Sequence, residues 1–194
     1  MVFGQTHGRF LDDPEFAPVL ATCAELGVPL YLHPAPPPPA VAEIYFARLP
    51  GRAGPTLATA GWGWHAETGM HVLRLAVTGT FDAHPDLRLV VGHMGENLPF
   101  SLARADERLS ASTAGERPVM RTVLDQVLIT TAGYVTTPPL ACALATFGPE
   151  RILFSVDHPF ADSAEATAFL AEAPLDEADR ERIAHGNAEA LLGV

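Results

Sequence analysis

Three residues able to bind a metal or carry a proton each follow a short apolar run, always at the same end of the run. His33 follows VPLYL (28–32), His93 follows LRLVVG (87–92) and Asp157 follows RILFSV (151–156). Each run has the length and composition of a strand buried on both faces, as in a parallel sheet. In parallel α/β folds the C-terminal ends of the strands are where chemistry sits. A polar group beside a core is costly unless it is satisfied, so three of them in equivalent positions argue for a shared purpose. Glu96 stands three residues after His93, where its carboxylate can orient the imidazole and raise its basicity. A capping histidine satisfied by backbone groups accounts for any one of these residues alone; the repetition favours a site.

The elements that must position them alternate. Apolar runs at 28–32, 87–91, 126–131 and 151–156, with a fragment at 2–4, read as strands. Between them lie helical patterns at 11–26, 40–49, 67–83, 98–109, 118–125 and 137–147, with two more at 163–173 and 176–185 and a last turn at 187–192. Pro14, with Asp12 or Asp13 before it, marks a helix start, and Gly27 marks its end. The APPPPA segment (35–40) reads as a stiff loop, and Gly51 to Gly63 as irregular. No hairpin signal interrupts the rhythm, so the units are βαβ and the sheet is parallel. Four full strands are about half of a (β/α)8 barrel, which takes about 250 residues. The expectation is therefore one domain over 1–194, the C-terminal portion of such a barrel, with its N-terminal strands missing.

Composition removes several function classes. The net charge of −11 argues against binding a phosphate backbone, so nucleic acid is not expected as a partner. No apolar run reaches the roughly 18 residues of a membrane span, and the first residues lack a signal-peptide pattern. Two cysteines without CxxC spacing fit a reduced, cytoplasmic setting. All twelve basic residues are arginine. The absence of lysine excludes Schiff-base, pyridoxal and P-loop chemistry, and no GxSxG or GxGxxG is present.

Taken together, GRFLDDP (8–14), VPLYLHP (28–34), the long stretch from Glu67 to Phe100, ITTAGY (129–134), RILFSVDHPF (151–160) and DRERIAHGNAE (179–189) resemble a known family. The chain is similar to the C-terminal part of the metal-dependent decarboxylases of the amidohydrolase superfamily, nearest to the hydroxybenzoate branch. The resemblance implies a TIM barrel, (β/α)8, of which these segments are roughly strands four (end only) to eight. It implies His33 and Asp157 as metal ligands, His93 as the acid/base residue and Glu96 as its partner, with Asp157 a second candidate for the proton. The family's first-strand ligands have no counterpart here, and without lysine a mononuclear site is the option left.

Weaker candidates line up behind these. Trp62 and Trp64 either stack on an aromatic substrate or pack their loop, His158 reads as structural with lining the site as the alternative because it neighbours Asp157, and Arg9 could reach a substrate carboxylate. Tyr134 is a second-tier candidate. His65, His71, His84 and His185 read as structural.

The expected activity is a divalent-metal carboxy-lyase acting on a hydroxylated aromatic acid, with one Zn²⁺, or Mn²⁺ as the other option. Hydrolysis of a lactone or amide by the same metal is the alternative within enzymes. The alternative outside them is a non-catalytic fragment or pseudoenzyme, since His33 and Asp157 are fewer than the three ligands that catalytic zinc sites keep. An open half-barrel with an apolar interior also predicts association with itself or with a complementary half.

Overall fold

The computed structural model describes all residues from Met1 to Val194. Five strands form one parallel sheet: β1 (Val2–Phe3), β2 (Leu30–His33), β3 (Leu89–Val91), β4 (Val127–Thr130) and β5 (Ile152–Leu153). Their order in the sheet is their order in the chain. A doubly wound sheet reverses direction at a switch point; an unbroken sequence of neighbours is instead the arc of a (β/α)8 barrel, with β1 and β5 at its two edges. The registers keep adjacent strand ends level, with Leu30 opposite Leu89, Leu89 opposite Val127 and Ile129 opposite Ile152.

The helices are α1 (Ala17–Glu25), α2 (Pro39–Tyr45), α3 (Ala53–Ala58), α4 (Gly63–Val77), α5 (Thr80–Ala83), α6 (Leu98–Leu109), α7 (Val119–Gln126), α8 (Thr137–Phe147), α9 (Ser163–Glu172), α10 (Glu177–Glu181) and α11 (Asn187–Leu192). None is long and apolar enough to cross a membrane.

The two sheet faces carry different loads. Leu30, Leu32, Leu89, Val91, Val127, Ile129 and Ile152 point towards the helices. They join one core with Leu20, Val72, Leu75, Phe81, Leu102, Val123 and Leu140. The alternate residues Val90, Leu128 and Leu153 face the barrel side, where Tyr31 and the α11 residues Ala188 and Leu191 cover them. Both faces are thus apolar, which is why each strand reads as a continuous run.

Several boundaries differ from expectation. The helix expected from Leu11 starts only at Ala17; a 3-10 turn, Pro14–Phe16, precedes it, capped by Asp13, whose side chain accepts from the Glu15 N–H. Asp12 instead takes a two-pronged pair from Arg74 at 3.0 and 2.6 Å. The single helix expected over 67–83 begins four residues earlier and breaks at Gly79, which sits at φ 76°. The stretch expected to be irregular, 51–63, contains α3. The last helix expected, 176–185, is Glu177–Glu181 followed by a π turn, Arg182–Gly186, and its cap is Asp176 as expected.

Candidate active site

The loop after β3 is wound the wrong way for L-residues. His93, Met94, Gly95, Glu96 and Asn97 have φ of 48°, 52°, 80°, 53° and 66° in succession. Each non-glycine residue in that region costs on the order of 1–2 kcal/mol, so the surroundings must hold the turn. Two turn hydrogen bonds do so, from Gly95 N–H to Gly92 C=O at 2.8 Å and from Glu96 N–H to His93 C=O at 3.2 Å. Met94 is buried in the main core and anchors the outer side. One left-handed turn places residues three apart on the same side, so His93 and Glu96 face each other.

The resulting contacts centre on Glu96, which is buried. Its Oε1 accepts from His93 Nδ1 at 2.6 Å, and its Oε2 accepts from His65 Nδ1 at 2.5 Å. Burial alone pushes this carboxyl up, but the hydrogen bonds from His65 and His93 outweigh it and hold it below the usual carboxylate range. Because His93 donates its Nδ1 proton to Glu96, its Nε2 is the free nitrogen, and it lies 3.8 Å from Asp157 Oδ2.

His33 is prepared in the same way by a different partner. Its Nδ1 donates to the Pro34 carbonyl at 2.8 Å, leaving Nε2 as a lone-pair donor. Asp157 is reached through an extension of the β4–β5 pairing. Thr131 N–H donates to Leu153 C=O at 3.0 Å, and the Thr131 hydroxyl donates to Ser155 C=O at 2.8 Å while accepting from Ser155 N–H at 3.0 Å. Beyond it Asp157 takes φ 75°. Gly133 forms the floor between the two catalytic candidates. A Cβ there would lie 3.3 Å from His93 Cδ2 and 3.4 Å from Asp157 Oδ2, at a φ of 66° that favours glycine.

His33, His93 and Asp157 line one cavity of about 640 Å³, together with His65, Trp64, Tyr134, Phe3 and Phe160. Tyr134 stands edge-on to His65 and His93, with ring centroids at 5.7 and 6.1 Å, and burial raises its phenol pKa. The space is aromatic-walled, holds one carboxylate with two outward imidazole nitrogens, and has no arginine in its lining. A divalent cation suits such a donor set. His65, His93 and Glu96 also gather three ligand-type atoms within 4.8 Å. Their N···O separations of 2.5 and 2.6 Å are hydrogen-bond distances, with a proton between each pair.

The structure places the other expected residues as follows. Trp64 and Tyr134 line the cavity. Arg9 does not: it is exposed, ion-paired with Glu15 and set over the Phe16 ring. His158 is exposed and absent from the cavity wall. His71 is structural as expected, its Nε2 accepting from Leu11 N–H at 2.9 Å inside the core. His65 was expected to be structural, yet it is the second clamp on Glu96. No local signal announces it, because its partner lies 31 residues away.

Comparison with known proteins adds the following. The family described as Amidohydrolase matches residues 2–194. Decarboxylase orsB of Emericella nidulans is 37% identical over 100% of this chain and 61% of its own length. The gamma-resorcylate decarboxylase of Polaromonas sp. is 38% identical over 94% of this chain and 56% of its own. Among solved structures, the dihydroxybenzoic acid decarboxylase of Polaromonas sp. JS666, with bound manganese and the inhibitor 2-nitroresorcinol, superposes with a TM-score of 0.87 at 34% identity, covering 94% of this chain and 55% of that one. The chain thus spans a little over half the length of the relatives it matches.

Proposed function

The chain belongs to the amidohydrolase family, and from that premise we propose that the protein is a divalent-metal carboxy-lyase that removes CO₂ from a hydroxylated aromatic acid. The observation that carries this reading is the meeting of His33, His93 and Asp157, from three separate strand ends, on one aromatic-walled cavity. Relatives named as hydroxybenzoate decarboxylases support the substrate class.

His33 Nε2 and the Asp157 carboxylate are the residues that would hold the ion. The His33 Nδ1–H bond to the Pro34 carbonyl fixes the tautomer a ligand needs. When bound, a divalent ion supplies positive charge for the substrate's carboxylate and neighbouring hydroxyl, a charge that no arginine in the cavity lining provides. Manganese in the related structure makes Mn²⁺ the first ion to test, with Zn²⁺ the ion that a His/Asp donor set equally admits.

The chain's own residues handle the proton. His93, oriented by Glu96, presents Nε2 to the cavity and delivers a proton to the ring carbon that bears the carboxylate. That carbon becomes tetrahedral and the ring loses aromaticity. The C–CO₂ bond then breaks, its electron pair restores the aromatic ring, and CO₂ leaves. The reaction consumes one proton, which His93 Nε2, 3.8 Å from Asp157 Oδ2, takes up from solvent before each transfer. Trp64 and Tyr134 wall the ring. The two free cysteines, Cys23 and Cys142, fit the cytoplasmic setting we propose.

The test uses protein expressed from its full reading frame, loaded with Mn²⁺ or Zn²⁺ and given a panel of hydroxybenzoates. One CO₂ and one decarboxylated arene per substrate, with no water consumed, is the expected result. Ring opening or amine release from lactone or amide substrates, with no CO₂ from the panel, would replace this reading with a hydrolase.

A further inference from the structure

We propose that His65 is a positioning residue: it is held as an imidazolium ion paired with Glu96, and this pair locks His93 with its proton on Nδ1 and its Nε2 open to the cavity. The kinetic part of this proposal rests on the decarboxylase reading; the charge state of His65 does not.

The argument is one of donors and acceptors. His65 Nδ1 lies 2.5 Å from Glu96 Oε2, and its Nε2 lies 3.1 Å from the Ala60 carbonyl oxygen. Both partners are acceptors. A neutral imidazole has one N–H, so one of its two lone-pair contacts would be acceptor against acceptor. Only the doubly protonated ring satisfies both. The Ala60 carbonyl is brought there by a close approach: a Cβ on Gly63 would fall 2.2 Å from the Ala58 carbonyl oxygen, so the GWGW stretch packs onto the end of α3 only because glycine stands at 63.

The charge balance points the same way. The side chains facing His65 are Glu96 and His93 from the turn after β3 and Tyr134 from the loop after β4. Glu96 is the anion among them, and its carboxylate is 0% exposed, with no lysine or arginine among its partners. A buried carboxylate without a countercharge is costly. His65 supplies that countercharge. The Nδ1 proton of His93 is committed to Glu96 Oε1 at 2.6 Å, which leaves Nε2 as the ring nitrogen that faces the cavity. Hydrogen bonding to Glu96 raises the His65 pKa against the opposing effect of burial, in keeping with this assignment.

The experiment is long-range ¹H–¹⁵N correlation spectroscopy of the ¹⁵N-histidine-labelled chain at pH 7, with His65→Ala, His65→Asn and His93→Ala used for assignment. The expected spectrum shows both His65 nitrogens protonated and His93 as the single Nδ1–H tautomer. In His65→Ala the His93 signals move towards a tautomer mixture, and in His65→Asn, whose amide can still donate to Glu96, they return most of the way. A neutral His65 at pH 7, or His93 signals unmoved in both variants, would overturn the proposal. If His65→Ala does not fold, His65→Asn and the wild-type spectrum decide the question. In metal-loaded active protein, His65→Ala should lower kcat about 10–100-fold, the range for groups that orient a catalytic residue, with KM little changed, and His65→Asn should recover part of it. An unchanged kcat in active protein would sink the positioning role alone. No turnover in wild type, with the expected spectrum, would sink the decarboxylase reading and leave the His65 assignment standing.

Discussion

Helix α4 carries two histidines six positions apart, and they meet opposite fates. His65, at its N-terminal end, donates to a buried carboxylate and faces the cavity. His71 is fully buried in the core and accepts a backbone N–H from Leu11, and its Nδ1 has no partner. Burial pushes the His71 pKa down to about 4. Its acceptor role adds to this, because a proton on Nε2 would point at the Leu11 N–H. Residue type and helix are the same in both cases; what differs is that the His65 ring meets a buried carboxylate directly and the His71 ring does not. Glu96 makes that difference, and it makes the same difference for His93.

The sharpest way to break this contrast is at His93. His93→Ala should spare metal binding and lower turnover by about 10²–10⁴-fold, the usual contribution of a general acid–base group. Steady-state rates normalised to bound metal are the check. A variant that lost its metal but kept comparable turnover per ion would make His93 a ligand instead.

On the packing side, His71 should show itself in the pH dependence of stability. Above about 6.5 it is neutral in both folded and unfolded chains and contributes no slope. Between 6.5 and about 4 the unfolded chain takes up a proton that the folded chain refuses, so stability falls as pH falls, and the loss is complete below about 4. The shift corresponds to a loss on the order of 3 kcal/mol. Urea unfolding at pH 7 and pH 4.5 should therefore show a smaller difference in His71→Gln than in wild type. An equal difference would remove His71 from the account.

How much of this was legible in the residues follows from distance along the chain. Buried parallel strands are apolar on both faces, so β2, β3 and β4 stand out as runs, and His33, His93 and Asp157 are visible as the polar residues that end such runs. The His93–Glu96 pair was readable because its spacing is three. The five-residue left-handed turn that makes the spacing work was not, since Met94 and Glu96 belong to residue types that seldom take positive φ. His65 was hidden because its role exists only once α4 packs against the turn after β3. Arg9 misled in the other direction: its nearness to a strand fragment suggested a substrate contact, and Glu15, six residues on, holds it at the surface.

Smaller effects sharpen the same picture. Gly133→Ala places a side chain at φ 66° and against both His93 and Asp157. It should cost about 1–3 kcal/mol of stability and reduce turnover more than metal binding, as read by thermal unfolding beside steady-state rates. Arg9→Ala, which removes an exposed ion pair and a cation set over the Phe16 ring, should change stability by less than about 1 kcal/mol and leave KM for hydroxybenzoates unchanged. A clear rise in KM would return Arg9 to the site.

The division of labour among the three strand ends is the central claim, and metal content measures it most directly. Mn²⁺ binding, followed by the loss of the free-ion electron paramagnetic resonance signal, should be compared across wild type, His33→Ala, Asp157→Asn and His93→Ala in protein from the full reading frame. The account predicts that His33→Ala and Asp157→Asn weaken binding at least tenfold, the lower end of what even supporting residues of a metal site contribute, while His93→Ala binds as wild type does. Wild-type affinity in both His33→Ala and Asp157→Asn would contradict it.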